Sequence, residues 1–282
     1  MITGSACLAF GPWLVRLADT EANVGPLASA FWRQALAVPF LLLLAAVVDG
    51  RRAFAGLDRR GLWLAVIAGA AFAGDLAVWH LGILRTTLAN STLMANAATF
   101  MLPFYGAVVL RHRFTAPQGW ALAAAAAGVA LLLGRSADVS SRHLVGDLLC
   151  LAAAVFYTVY LIAIEKLRGQ LEALPALALA TLAGAILLAP LAAGGRIWPT
   201  DWTPVLGLAI GSQVIGQGLI VFAVRHLSPL VVGLALLVQP AISAAVGALR
   251  FGEVPGPWEI AGAMLVVAAL VIARLPVGRR PA

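Results

Sequence analysis

Two residues able to carry chemistry stand inside the stretch "AGDLAVWHLG", residues 73–82, which otherwise reads as lipid-soluble. A charge in hydrocarbon is expensive, so Asp75 and His80 need a partner, a wet cavity or a task. A carboxyl can pass a proton or hold a cationic group, and an imidazole titrates near neutral pH. Helix geometry separates the two. Asp75 and Trp79 are four apart and share a face, whereas Asp75 and His80 lie ~140° apart around the axis. Three roles are open for Asp75: a hydrogen-bonded structural acid, an ion pair with Arg33, or a group of a wet cavity that handles protons or substrate. His80 lies nearer the end of its segment, where it caps, snorkels or titrates.

Other polar residues fall at helical spacing in apolar surroundings. Thr92, Asn96, Thr99 and Pro103 make one stripe, with Asn96 deepest. Gln213 and Gln217 share a face among Gly211, Gly216 and Gly218. Gln239 precedes Pro240, where it serves the carbonyl that the proline frees or faces a cavity with Ser243. Small polar residues and glycines also pack helices together with no ligand involved. Tyr and Trp commonly form interfacial belts, but Tyr157 lies mid-span, where a belt does not reach, and Trp13 and Trp79 raise the same question. Two amides on one face suit an ammonium and a carboxylate, and aromatic walls suit a large apolar side chain. Asp75, Trp79, His80, Asn96, Thr99, Tyr157, Gln213, Gln217, Gln239 and Trp13 are therefore the candidate substrate contacts, of which about half are expected to line a cavity. The four histidines, at 80, 112, 143 and 226, are scattered. No phosphate loop, metal-ligand spacing or nucleophile elbow is present, so neither an enzyme nor a bound metal or cofactor is expected.

The elements that position these residues follow from composition. Of 282 residues, 62% are hydrophobic and 11% charged, and the mean hydropathy is +0.97. That leaves too little polar surface to coat a water-facing globule, and the chain belongs in a bilayer. A span needs ~20 apolar residues. Ten candidates fit, at roughly 3–18, 28–48, 61–84, 87–110, 116–134, 145–166, 174–193, 203–225, 228–249 and 256–274. They lack the period-two alternation of a barrel. The first apolar run has no basic leader or cleavage site and is expected to be retained as a span. Cys7 and Cys150 both lie in apolar runs and read as small buried residues.

With the N-terminus placed inside, twelve of the nineteen Lys and Arg fall on inner loops and six on outer ones. This bias puts both termini in the cytoplasm. The +7 net charge thus reflects topology and anionic lipid, and no nucleic-acid partner is implied.

The halves repeat weakly but in order. Pro117 and Trp120 answer Pro255 and Trp258 at an offset of 138, Pro103 answers Pro240 at 137, and "CLA" occurs at 7–9 and 150–152. The reading is an all-α membrane protein of ten transmembrane helices, built as two five-helix repeats, 1–138 and 139–282. Five is odd, so the second copy enters the membrane inverted. Inverted repeats with a midplane site are a construction of alternating-access carriers. A small-molecule substrate and the lipid bilayer are the expected partners. A proton is the candidate coupling ion, carried by Asp75 and His80, and no ATPase subunit is evident.

Two stretches carry a resemblance to a known family: "AFWRQALAVPFLLLL" in the second span and "LVQPAISAAVGALRFGEVPGPWEIAGAMLVVAALVI" near the end. In the latter, Pro240, the Gly252–Glu253 pair and Gly262 follow the P…GE…G pattern. The chain resembles the ten-helix, EamA-type branch of the drug/metabolite transporter superfamily over nearly its whole length. The first repeat departs from the pattern, with "RHRFT" in place of Gly–Glu. The resemblance implies a carrier in a bacterial inner membrane, commonly an exporter of amino acids or related metabolites. Overall likeness is greatest to bacterial aromatic amino-acid exporters, and a broad drug/metabolite exporter is the alternative.

Overall fold

The computed structural model of the chain describes residues 1–98, 101, 116–224, 226, 236 and 238–272. All its regular elements there are helical, with no strand among the described residues. Five helices are long and apolar enough to cross a membrane: α3 (Pro26–Val48), α4 (Arg59–Ile83), α7 (Ser141–Leu167), α8 (Ala173–Ala192) and α9 (Thr203–Val224). Their outward faces carry Leu43, Val47, Trp63 and Ile186, which suit lipid.

The first span departs from the continuous helix expected over 3–18. It is two helices, α1 (Ile2–Ala9) and α2 (Gly11–Thr20), broken at Phe10. Pro12 is the cause, since it has no N–H to continue the ladder. The Ser243 hydroxyl donates to the Ala9 carbonyl at 2.9 Å beside the break. Between them, α5 (Leu88–Ala95) covers only the start of the expected span 87–110, and most of the remainder, Thr99 and Pro103 included, lies outside the described residues. Helices α6 (Ala116–Val139), α10 (Val238–Phe251) and α11 (Pro257–Ile272) complete the order.

Helix starts follow their sequence signals. Asp58 caps α4, accepting the Gly61 N–H at 2.6 Å, and this bond holds its carboxyl below the ordinary carboxylate range. Thr87 caps α5 and Ser140 caps α7 in the same way. In α9, residues Gly207–Gln217 are wound as a π-helix, a form that occurs chiefly as short insertions at functional sites.

Small residues set the helix crossings, as expected in lipid where no hydrophobic force drives helices together. A Cβ added at Gly69 of α4 would sit 2.5 Å from Ala183 Cβ and 2.6 Å from the Ala180 carbonyl of α8. One added at Gly82 would sit 2.5 Å from Cys150 Sγ of α7. Helix α4 is therefore held against both α7 and α8 at backbone distance.

Connections that follow alternate spans meet at one end of the bundle. Arg16 at the end of α2 pairs with Glu253 and donates to the Thr86 carbonyl at 2.5 Å. Arg142 donates to the Leu84 carbonyl at 2.9 Å, and Arg196 pairs with Asp19. The Gly25 N–H donates to the Arg196 carbonyl at 2.9 Å, bringing the start of α3 beside the segment that leaves α8. Since α3 packs on α8, the two run antiparallel. The residue pair Gly61 and Gln170 lies at the opposite end, where α4 begins and α7 has ended.

Candidate functional site

A cavity lies inside the bundle, walled by six of the helices together with α5 and its C-terminal cap. The helix α4 supplies Phe72, Asp75, Leu76 and Trp79, a single face at spacings of three, one and three. Opposite them stand Arg33 of α3, Tyr157 of α7, Gln217 of α9 and Gln239 of α10. Ala95 and Asn96 at the end of α5, with Leu8 of α1, close the remaining side. The space open to water is about 40 Å³, enough for roughly three waters at ~10–15 Å³ each. Ligand pockets run to ~300–1,000 Å³, so a substrate enters only when the helices part.

The aromatic wall is continuous. Phe72 stacks on Tyr160 with centroids 4.6 Å apart, and Tyr160 stacks on Tyr157 at 5.6 Å. The Gln217 amide donates to the Tyr160 hydroxyl at 3.1 Å and to that of Tyr157 at 3.4 Å. This leaves the Gln217 carbonyl oxygen buried without a donor. Trp79 is held by its indole N–H, which donates to the Ser91 carbonyl at 3.2 Å. The Asn96 amide donates to the Leu236 carbonyl at 3.3 Å, tying α5 to the segment before α10.

Of the ten sequence candidates, Asp75, Trp79, Asn96, Tyr157, Gln217 and Gln239 are brought together at this cavity. Three others are placed elsewhere. His80 points the other way round α4, as the 140° separation requires, and its Nδ1 lies 2.9 Å from the Ser29 hydroxyl. Gln213 is buried one turn from Gln217; it accepts from Arg33 Nε at 3.1 Å and donates to Thr181 at 3.1 Å. Trp13 lies beyond the helix break, with the Arg250 guanidinium 5.3 Å over its ring. Thr99 lies outside the described residues.

Arg33 and Phe72 were not among the candidates. Phe72 had a signal, because it completes the Asp75–Trp79 face. Arg33 entered only as a possible partner for Asp75, yet it is the one Lys or Arg well inside an expected span. In the structure it is 2% exposed and shares the cavity with Asp75, with no direct ion pair between them among the described residues. Its guanidinium lies over the Phe72 ring at 5.7 Å and the Trp79 ring at 6.0 Å.

Residues 144–275 match the EamA-like transporter family. The chain thus carries an EamA-like transporter domain over just under half of its length, which supports a place in the drug/metabolite transporter superfamily. Pseudopaline exporter CntI of Pseudomonas aeruginosa, in strains UCBPP-PA14 and PAO1, is 24% identical over 256 residues, covering 90% of this chain and 87% of the relative. A solved crystal structure, described only as that of a protein, superposes with a TM-score of 0.71 at 20% identity, covering 99% of this chain and 97% of the other. That likeness is one of fold. An EamA-type protein is a multi-pass membrane protein, so the five long apolar helices are spans.

Proposed function

We propose that this EamA-type protein is a secondary transporter that exports amino acids, aromatic and other bulky neutral ones, by alternating access through the cavity. The observation that carries the reading is the composition of that cavity. Asp75, Asn96, Gln217 and Gln239 offer charge and hydrogen bonds to an amino-acid backbone, while Phe72, Trp79 and Tyr157 offer a wall to an apolar side chain. The named activity of the P. aeruginosa relatives, export of pseudopaline, supports the transport class.

Alternating access here rests on two inverted repeats, 1–138 and 139–282. The packing of α3 on α8, of α5 on α10 and of α6 on α11 supports it, because each pair joins equivalent expected spans of the two halves. In this reading both termini face the cytoplasm and the protein sits in a bacterial inner membrane. The Arg16–Glu253 pair lies at one end of the bundle, and in this reading it closes that end of the cavity. That pair is the latch of the outer gate.

The test is uptake of labelled L-phenylalanine into proteoliposomes of the purified protein, with cationic dyes as competitors. Saturable uptake that dyes leave unaffected is the expected result. Uptake of the dyes with none of phenylalanine would assign the protein to broad drug export instead.

A further inference from the structure

Arg33 presents an unusual electrostatic situation. A guanidinium carries five N–H donors and is charged at every accessible pH. Here one of them, on Nε, is placed on the Gln213 carbonyl oxygen, while Nη1 is buried with no acceptor. The Gln213 amide is fixed in turn by Thr181, so the guanidinium is held by neutral dipoles. Rings of Phe72 and Trp79 under it provide further attraction to a cation. None of these supplies an anion. An unpaired cation at this depth in a membrane is costly, and such groups mark substrate or ion pathways.

Asp75 could have neutralised it. Both side chains reach the same cavity, but no direct ion pair joins them among the described residues. Arg33 and Asp75 thus both line the cavity without bonding each other directly. A planar fork of donors matches a carboxylate, which accepts two parallel N–H bonds. A carboxyl across from it matches an ammonium.

We infer that Arg33 anchors the substrate's carboxylate while Asp75 faces its ammonium, so the cavity selects molecules that carry both groups. This deepens the amino-acid reading above and rests on it. It names Arg33 as the specificity residue, with Gln213 and Thr181 aiming it. Lipophilic cations are disfavoured by the same arrangement, because they would leave Arg33 unpaired and add a second positive charge beside it.

The test compares three probes of one size: L-phenylalanine, phenethylamine, which lacks the carboxylate, and 3-phenylpropionate, which lacks the ammonium. Transport in proteoliposomes and ligand-induced thermal stabilisation in detergent are both read. Wild-type protein is expected to favour phenylalanine over each of the others at least tenfold. Arg33→Gln is expected to raise the ratio of phenethylamine to phenylalanine at least tenfold, and Arg33→Lys to do so by less, since a point charge replaces the fork. If Arg33→Gln fails to fold, Gln213→Glu keeps the guanidinium and gives it a resident anion 3.1 Å from Nε. That variant is expected to fold and to lose the response to both carboxylates. Equal handling of phenethylamine and phenylalanine by wild type overturns the role of Arg33 and leaves the exporter reading standing, as does a carboxylate response retained by Gln213→Glu. No response to any of the three probes overturns the amino-acid reading, and the role of Arg33 with it.

Discussion

Glu253 ties together three segments that are far apart in sequence. One carboxylate oxygen pairs with Arg16 at the end of α2, and the other accepts the Leu88 N–H at 2.8 Å, at the start of α5. Arg16 adds its bond to the Thr86 carbonyl and lies 4.8 Å over the Phe251 ring. Glu253→Gln keeps the shape and removes the charge. A hydrogen bond to a charged group contributes about 1.5–3 kcal/mol and a neutral one about 0.5–1.5 kcal/mol, so each of the two contacts loses ~1 kcal/mol or more. The side chains are 15% and 17% exposed, so screening trims the sum, and about 2 kcal/mol is a fair total. At ~1.4 kcal/mol per decade, this raises the population open at this end roughly 30-fold. The assay uses Ser91→Cys, a buried position between the latch and the cavity, in a background lacking Cys7 and Cys150. A membrane-impermeant thiol reagent added from the latch side should label it about 30-fold faster in Glu253→Gln. Arg16→Gln should act similarly, and the double variant should fall well short of the sum, because one contact is removed twice. A labelling rate that changes less than threefold would refute the idea that this pair holds the gate.

Asp75→Asn should lower phenylalanine uptake at least tenfold, and if Asp75 carries a coupling proton, uptake should also cease to respond to an imposed pH gradient; flux measured with and without the gradient checks both. Gln217→Ala and Asn96→Ala should each weaken uptake severalfold while leaving the yield of monodisperse protein intact, since each removes one amide from the cavity; wild-type uptake by both would displace the site. Gly69→Val should destabilise the bundle by ~1–3 kcal/mol, seen as a lower melting temperature, because its Cβ would overlap Ala183 and the Ala180 carbonyl. The Asp58 cap has a signed pH dependence. Its folded carboxyl is held below the unfolded value, so its contribution is present above the ordinary carboxylate range and is lost as pH falls through the depressed value. Amide exchange at the first turn of α4 should therefore quicken in Asp58→Ala at neutral pH, and in wild type as pH falls below the ordinary carboxylate range.

Spans were legible because their cause is local. Twenty apolar residues must be helical in lipid, and Gly, Pro and charge must punctuate them, so α3, α4, α7, α8 and α9 match their expected ranges within a few residues. The break in the first span carried a signal in "FGPW", since Pro12 follows Gly11 directly, but an apolar run read by length alone hides it. The π-winding of α9 had only a rich content of glycine to announce it. Side-chain direction was partly legible too. The 140° between Asp75 and His80 correctly separates the cavity face of α4 from the face that meets Ser29. What spacing could not give is the meeting of distant helices. Gln213 and Gln217 share a face, yet Thr181 and Arg33 draw one of them out of the cavity while Tyr157 and Tyr160 keep the other at its wall.

That division shapes how the site can work. A cavity of about 40 Å³ cannot hold the substrate its walls are suited to, so binding must coincide with movement. Helix α4, packed against α7 and α8 through Gly69, Gly74 and Gly82, makes a stiff wall carrying Asp75, Phe72 and Trp79. The regular winding is interrupted elsewhere, at the Phe10 break and in the π-wound part of α9, the segment that carries both Gln213 and Gln217. Rotation of α9 about that segment would move Gln217 against the tyrosines and Gln213 against Arg33 together. A substrate carboxylate on Arg33 therefore has a direct mechanical route to α9. Replacing Gly211 by Ala, where no neighbour lies within 4 Å of the added Cβ, removes backbone freedom without steric overlap. Slower turnover with unchanged substrate affinity is the expected result; unchanged turnover would place the moving part elsewhere.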